Sequence, residues 1–325
     1  WMLPDGDLPF RMPMRVSRLR VKFGDGKRSA MVLSDSTASF LVPDSNLSEA
    51  SIIFEGGKSK IGKWGRFNLK LASFGLSPSG LQLSRLRLSP EAYPQAEIQL
   101  NGDGYPVVPV RGSAGEFGFS VRSMPTELLL GSNLGSMIDG TFNSDKTNLG
   151  VFTMDPTSFD SMKFEDTLRS AEAHLLELKR FAFLQTLSRE LSLKRMDAPQ
   201  MNPGGRMKVT RRATRTELTN LDLHAEGILR VRGEVIEDSG QLSGVLRVGL
   251  SENVIAASPS RRVPQLFSRG EDGYFWANVT LSGSTRAPQD DMKAQLKSAE
   301  SKRSPVTGGS NDLDDEFIDL TTPEE

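Results

Sequence analysis

The side chains able to do chemistry are few, and their spacing does not bring them together. Asp222 and His224 stand two apart in an alternating stretch. That spacing puts both on one face of a strand, where a carboxylate can orient an imidazole. Leu221 and Leu223 claim the apolar face, so the pair points to water, with no nucleophile at a fixed distance along the chain. The only other histidine, His174, lies between Glu172 and Glu177 and reads as a solvated side chain. With no cysteine in the chain, disulfides, thiolate metal sites and cysteine catalysis are all excluded. Gly24-Asp25-Gly26-Lys27 lacks the glycine that a phosphate loop carries five residues before Gly26, and reads as a hairpin. No G-x-S-x-G elbow is present. Asp103 and Glu116 are the carboxylates a glycosidase would need about 5 Å apart, but their spacing does not impose that proximity. The acidic run Asp312 to Glu316 lies in a stretch too polar to order a coordination shell. The expectation is a protein that is not an enzyme, with no catalytic residues, no cofactor and no metal.

The elements that would position any site are mostly strands. Phe117, Phe119 and Val121 alternate with polar or small residues, as do Leu229 and Val231, and Phe275, Ala277, Val279 and Leu281. Between such stretches come Gly24-Asp25-Gly26, Glu55-Gly56-Gly57, Ser77-Pro78-Ser79-Gly80, Asn101-Gly102-Asp103-Gly104 and Glu237-Asp238-Ser239-Gly240. Short alternating runs separated by glycine turns predict an antiparallel meander. One string recurs: Val16-Ser17-Arg18-Leu19-Arg20-Val21, Leu83-Ser84-Arg85-Leu86-Arg87-Leu88 and Leu218-Thr219-Asn220-Leu221-Asp222-Leu223. In each copy the last two apolar residues share a face and the first has the wrong parity. A bulge at the Ser/Thr position would bring it round.

Residues 161–197 break the pattern. Phe164, Leu168, Ala171, Leu175, Leu178 and Ala182 recur at helical steps, with Asp160 or Ser161 as the N-cap and Pro199 as the stop. Phe183, Leu184, Leu187 and Leu191 fall nearly opposite that stripe, so the long amphipathic helix must kink near Phe181 or bury two faces.

Charge is uneven although 40 Lys+Arg nearly balance 41 Asp+Glu. From Ala287 to Glu325 there are 4 basic and 10 acidic residues, which leaves the body at +5. That tail is poor in apolar residues and is expected to be disordered, so removing everything after Lys297 should leave the thermal midpoint nearly unchanged. The body is only mildly basic and has no basic run longer than two, which argues against nucleic acid as a partner. No apolar run reaches the ~18 residues of a spanning helix. The chain opens on Trp1, and a membrane anchor is expected upstream of it. The divisions read as 1–160, a β-meander region; 161–197, the helix; 198–286, a C-terminal β region; and 287–325, the tail.

The layout of residues 164–288 resembles the C-terminal part of AsmA-like proteins, relatives of TamB and of the bridge-like lipid-transfer proteins. The residues that carry the likeness are the Leu-rich segment Leu175 to Leu193, then Thr216 to Leu223, Gly227 to Val235, Gly240 to Val248 and Val279 to Gly283 with Ala287-Pro288. Leu81 to Gly102 looks like an earlier turn of the same device. The resemblance implies a curved sheet whose apolar inner face carries lipid. It also implies a place in the periplasm, an inner-membrane tether, envelope proteins as further partners and a role in outer-membrane biogenesis.

These readings converge on a mainly β fold: a curved antiparallel meander sheet with an apolar groove, plus one long amphipathic helix. Leu19, Val21, Leu86, Leu88, Leu221, Leu223, Leu229 and Val231 are expected to face the groove and solvate a lipid or other acyl-chain ligand. Each acyl CH₂ buried there contributes ~0.8 kcal/mol without any polar contact. The rival is a structural or adhesive β protein in which the same residues are plain core and partners bind the loops.

Overall fold

Alternating stretches and frequent turns produce one large antiparallel sheet, and the protein is mainly β. The computed structural model describes residues 14–24, 29–41, 50–61, 65–77, 80–102, 115–147, 149–155, 158–171, 175–212, 214–270 and 272–301. Strands β1 (Met14–Gly24), β2 (Ser29–Leu41), β3 (Ser51–Glu55), β4 (Lys58–Ile61), β5 (Gly65–Ser77), β6 (Gly80–Pro90), β7 (Glu97–Asn101) and β8 (Gly115–Arg122) come first. Next are β9 (Met124–Pro125), helix α1 (Thr126–Gly135), β10 (Ile138–Asp139), β11 (Thr141–Ser144), β12 (Gly150–Asp155) and β13 (Ser158–Ser170). An excursion follows through β14 (Leu176–Leu178), α2 (Ala182–Glu190) and β15 (Gln200–Met201). The meander resumes with β16 (Arg206–Arg212), β17 (Arg215–Ala225), β18 (Leu229–Asp238) and β19 (Gln241–Ser251). The chain then forms α3 (Glu252–Ala256), α4 (Arg262–Leu266), β20 (Ser268–Arg269), β21 (Tyr274–Ser284), β22 (Ala287–Asp290) and α5 (Met292–Ser301).

Neighbours in space are nearly neighbours in sequence. From β1 the order runs through β2, the β3/β4 line, β5, β6, β7 and β8. It continues through β12, β13, β16, β17, β18, β19, β21 and β22, always antiparallel. Among the described residues no pairing joins β1 to β22, so hydrogen bonds do not close the sheet there. Strands β10, β14 and β15 form a separate small sheet.

Side-chain alternation separates an inner apolar face from an outer polar one. Phe119 on β8 and Phe164 on β13 are two strands apart, a backbone separation of about 9.5 Å. Their ring centroids nevertheless approach to 5.3 Å, with Phe152 on β12 also against Phe119, so the inner face is concave there.

The repeated string does mark bulges. Arg18 and Asn220, the third residues of their copies, have φ of 57° and 52°. Register shifts fall between Val16 and Leu19 on β1 and between Leu218 and Leu221 on β17. On β6 the ladder skips Ser84. The extra residue turns Leu83 and Leu218 to the buried side beside Leu86 and Leu221. Among the turns, Ser239-Gly240 closes the β18–β19 hairpin with φ of 53° and 86°, the pair of positive values a type I′ turn needs. Glu55-Gly56-Gly57 is not a turn. It is a bulge inside one line of strand, because β3 and β4 both pair with β2 and β5. At Gly57 a Cβ would stand 2.4 Å from the Ser34 carbonyl oxygen.

Two expectations need correction. Residues 161–197 do not form one long helix. Asp160, Ser161, Phe164 and Leu168 lie in β13, and helix is limited to α2, which begins after Phe181, where the kink was expected, and a 3-10 turn over Lys194–Met196. Residues four apart share a face in a strand as well as in a helix. The intervening buried positions, Asp166 and Ser170, are polar, and this hid the period of two. The boundary at 160/161 therefore cuts a strand rather than separating units.

The tail is folded at its start. Ala287–Asp290 pairs with β21, and α5 inserts Met292 at 0% and Leu296 at 2% exposure into the core. Residues 302–325 lie outside the described residues. Ending the chain at Asp291 should therefore cost about 3–5 kcal/mol, the burial of two large side chains. Thermal denaturation checks this, and an unchanged midpoint would show that α5 adds nothing.

Candidate functional site

All eight predicted groove residues turn to the inner face, but they are not equally accessible. Leu19 and Val21 on β1 are half-buried against the core. Leu86 and Leu88 on β6, Leu221 and Leu223 on β17, and Leu229 and Val231 on β18 are at most 4% exposed. For these six the expected open groove is corrected to a packed core. On β17 part of the cover is α1, whose Leu130 carbonyl accepts from the buried Thr216 hydroxyl. Leu130 of α1, Leu176 of β14, and Phe183, Leu184 and Leu187 of α2 belong to the same hydrophobic cluster as Leu221, Leu223, Leu229 and Val231.

Polar inner-face side chains seat α1 at one end of β16–β18. The Arg211 guanidinium donates to the Leu128 and Leu129 carbonyls at 2.8 and 3.2 Å, just before the helix breaks at Gly131. The Thr216 hydroxyl donates to the Leu130 carbonyl, and Asn133 donates to Glu237. Glu237 also accepts from the Gly240 amide. These groups satisfy carbonyls that a broken helix leaves free.

The apolar face is least covered at its β1 end. Leu19, Val21, Met31, Ile52 and Ile61 are partly buried and pack against the core, with Met31 directly opposite Ile61 and Val21 opposite Leu33. Sequence reading missed Met31, Ile52 and Ile61. Met31-Leu33 and Ile52-Phe54 carry the alternation that could have found them.

No cluster suited to chemistry emerges among the described residues. Asp222 and His224 share the outer face as expected, but Asp222 is tied to Arg230 at 2.7 and 2.8 Å rather than to the imidazole. Those contacts hold its carboxyl below the usual range, against the opposing effect of burial. Glu116 is exposed on the outer face of β8, while Asp103, His174 and the run Asp312 to Glu316 lie outside the described residues. No group of three His, Cys, Asp or Glu able to hold a metal occurs among the described residues. No described helix is long and apolar enough to cross a membrane. A cleft between α4 and α5, lined by Arg261, Gln265, Leu266, Gln295 and Ser298, pairs no base with a nucleophile. Compared with models of protein families, with curated proteins and with solved structures, the chain matches none.

Proposed function

We propose that this chain is a non-enzymatic, AsmA-like lipid-handling protein that shelters an acyl chain at the β1 end of its inner face. The observation that carries this reading is the gradient of cover along one continuous apolar surface. From β16 to β21 that surface is buried apart from Phe275 and, beside it, Ile228, whereas Leu19, Val21, Met31, Ile52 and Ile61 together keep part of their area in solvent. Partly wetted aliphatic side chains on a concave sheet gain about 25 cal/mol per Å² when a hydrocarbon covers them. In this proposal the setting is the periplasmic side of a bacterial envelope. The protein would be tethered to the inner membrane, have envelope proteins as partners and serve outer-membrane biogenesis.

The test is saturable uptake of a fluorescent fatty acid by the purified protein, together with organic extraction and mass spectrometry. Ile52→Asp places a charge where the chain would lie and should lower uptake at least tenfold at a temperature where circular dichroism shows the variant folded. A second reading, a closed β protein that meets partners through its loops, is favoured by the sealing of Leu86, Leu88, Leu221, Leu223, Leu229 and Val231. No uptake and no extractable lipid would decide for it.

A further inference from the structure

The outer face of the sheet carries two different charge patterns. From β13 to β21 cations and carboxylates answer each other across strands. Glu165 sits between Lys163 and Lys208 at 3.4 and 2.6 Å, and Asp222 and Asp272 between them hold Arg230 and Arg232. From β1 to β8 cations outnumber their carboxylate partners, although Lys58 on β4 meets Glu91 at 3.1 Å. Glu97 alone faces Lys70, Arg87 and Arg122, at 3.1, 2.9 and 3.6 Å. Further toward the edge, Lys22, Val32, Lys60 and Arg66 stand opposite one another on β1, β2, β4 and β5. Lys22, Lys60 and Arg66 are exposed, and no carboxylate among the described residues pairs with any of them. Like charges directly opposite each other on adjacent strands are destabilising. The same sheet neutralises such rows elsewhere, and here no described carboxylate does so.

We propose that the basic outer face of β1–β6 docks on the surface of an anionic phospholipid bilayer. The charge complementarity is direct, since basic residues near such a surface are attracted to its headgroups. A second observation separates a bilayer from the other common polyanion. On that outer face, Leu41 at the end of β2 is 54% exposed. An aliphatic side chain beside a basic face suits the boundary between headgroups and acyl chains. A single-stranded nucleic acid would instead need aromatic platforms. Phe54, Phe67, Phe74, Phe117 and Phe119 all turn inward.

The docking does not depend on an acyl chain inside the sheet and would hold if that reading failed. The experiment is flotation of the full chain with vesicles of phosphatidylcholine alone, or of phosphatidylcholine with one third phosphatidylglycerol, at low and high ionic strength. Binding should occur only to the mixed vesicles and fade at high salt. The double variant Lys60→Glu, Arg66→Glu should bind at least about twentyfold more weakly, since each cation near the surface contributes about fivefold. Both positions are exposed, so its melting temperature and its uptake of the fluorescent fatty acid should match the parent. Equal binding to neutral vesicles would overturn the proposal, as would undiminished binding by the variant. Tighter binding to single-stranded DNA than to the mixed vesicles, at the same salt, would overturn it in favour of nucleic acid.

Discussion

Asp166→Asn is expected to raise the melting temperature by about 5 °C at pH 8 while leaving it nearly unchanged around pH 4. Asp166 lies on the inner face of β13 between Phe164 and Leu168 and is 2% exposed. Burial pushes its carboxyl up to about 7, although the Ser144 hydroxyl donates to it and favours the charged form. Its Oδ1 has no hydrogen-bond partner, and Gly150 approaches so closely that a Cβ there would stand 2.7 Å from the Asp166 Cγ.

With the folded pKa above the unfolded one, the native state keeps a proton that the unfolded chain has released. Stability therefore falls as pH rises from about 4 to about 7 and levels off above, by on the order of 4 kcal/mol. Asparagine keeps the shape and cannot ionise, so the variant lacks that fall. Asp145, held down to about 2 by the Arg169 guanidinium, titrates well below this window. Asp290, also raised by burial, acts alike in both proteins and cancels in the comparison. Calorimetry across pH is the measurement. Parallel curves for parent and variant would show that Asp166 ionises in the folded protein as it does in water.

Arg211→Met should destabilise the fold by about 2–4 kcal/mol, with the first sign of damage in α1. The guanidinium is largely buried, which pulls its pKa below the ordinary arginine value. Its two bonds to the carbonyls of Leu128 and Leu129 join the inner face of β16 to a helix broken at Gly131. Methionine preserves much of the volume and removes both donors, so those carbonyls lose partners where water is scarce. Hydrogen exchange should accelerate across residues 126–135 before it does in β17 and β18. Uniform loss of protection throughout the sheet would instead make Arg211 an ordinary core contact.

The bulges were visible in advance because they answer a local conflict. In Leu218-Thr219-Asn220-Leu221 the two leucines cannot share a face of a regular strand, and the backbone resolves this at Asn220. The β18–β19 turn was visible for a similar reason, since Ser239-Gly240 takes up positive φ between two alternating runs. The stretch around β13 was misread because Phe164 and Leu168 fit both periods. The choice fell to strand through pairing with β12, its hairpin neighbour, and with β16, which follows only after the excursion through β14, α2 and β15. The start of the tail was misread because acidic composition outweighed Met292 and Leu296, whose value depends on a core built by distant residues.

Which side of each strand is apolar follows from the order of residues alone, because alternation is a property of neighbouring backbone geometry. What lies over that side does not follow from it. The leucines of β17 and the aliphatics of β1 look alike along the chain. Only tertiary packing buries Leu221 and Leu223 while Leu19 and Val21 stay half in solvent. Burial is a sum over contacts between residues far apart in sequence, and three-dimensional packing alone assigns those contacts.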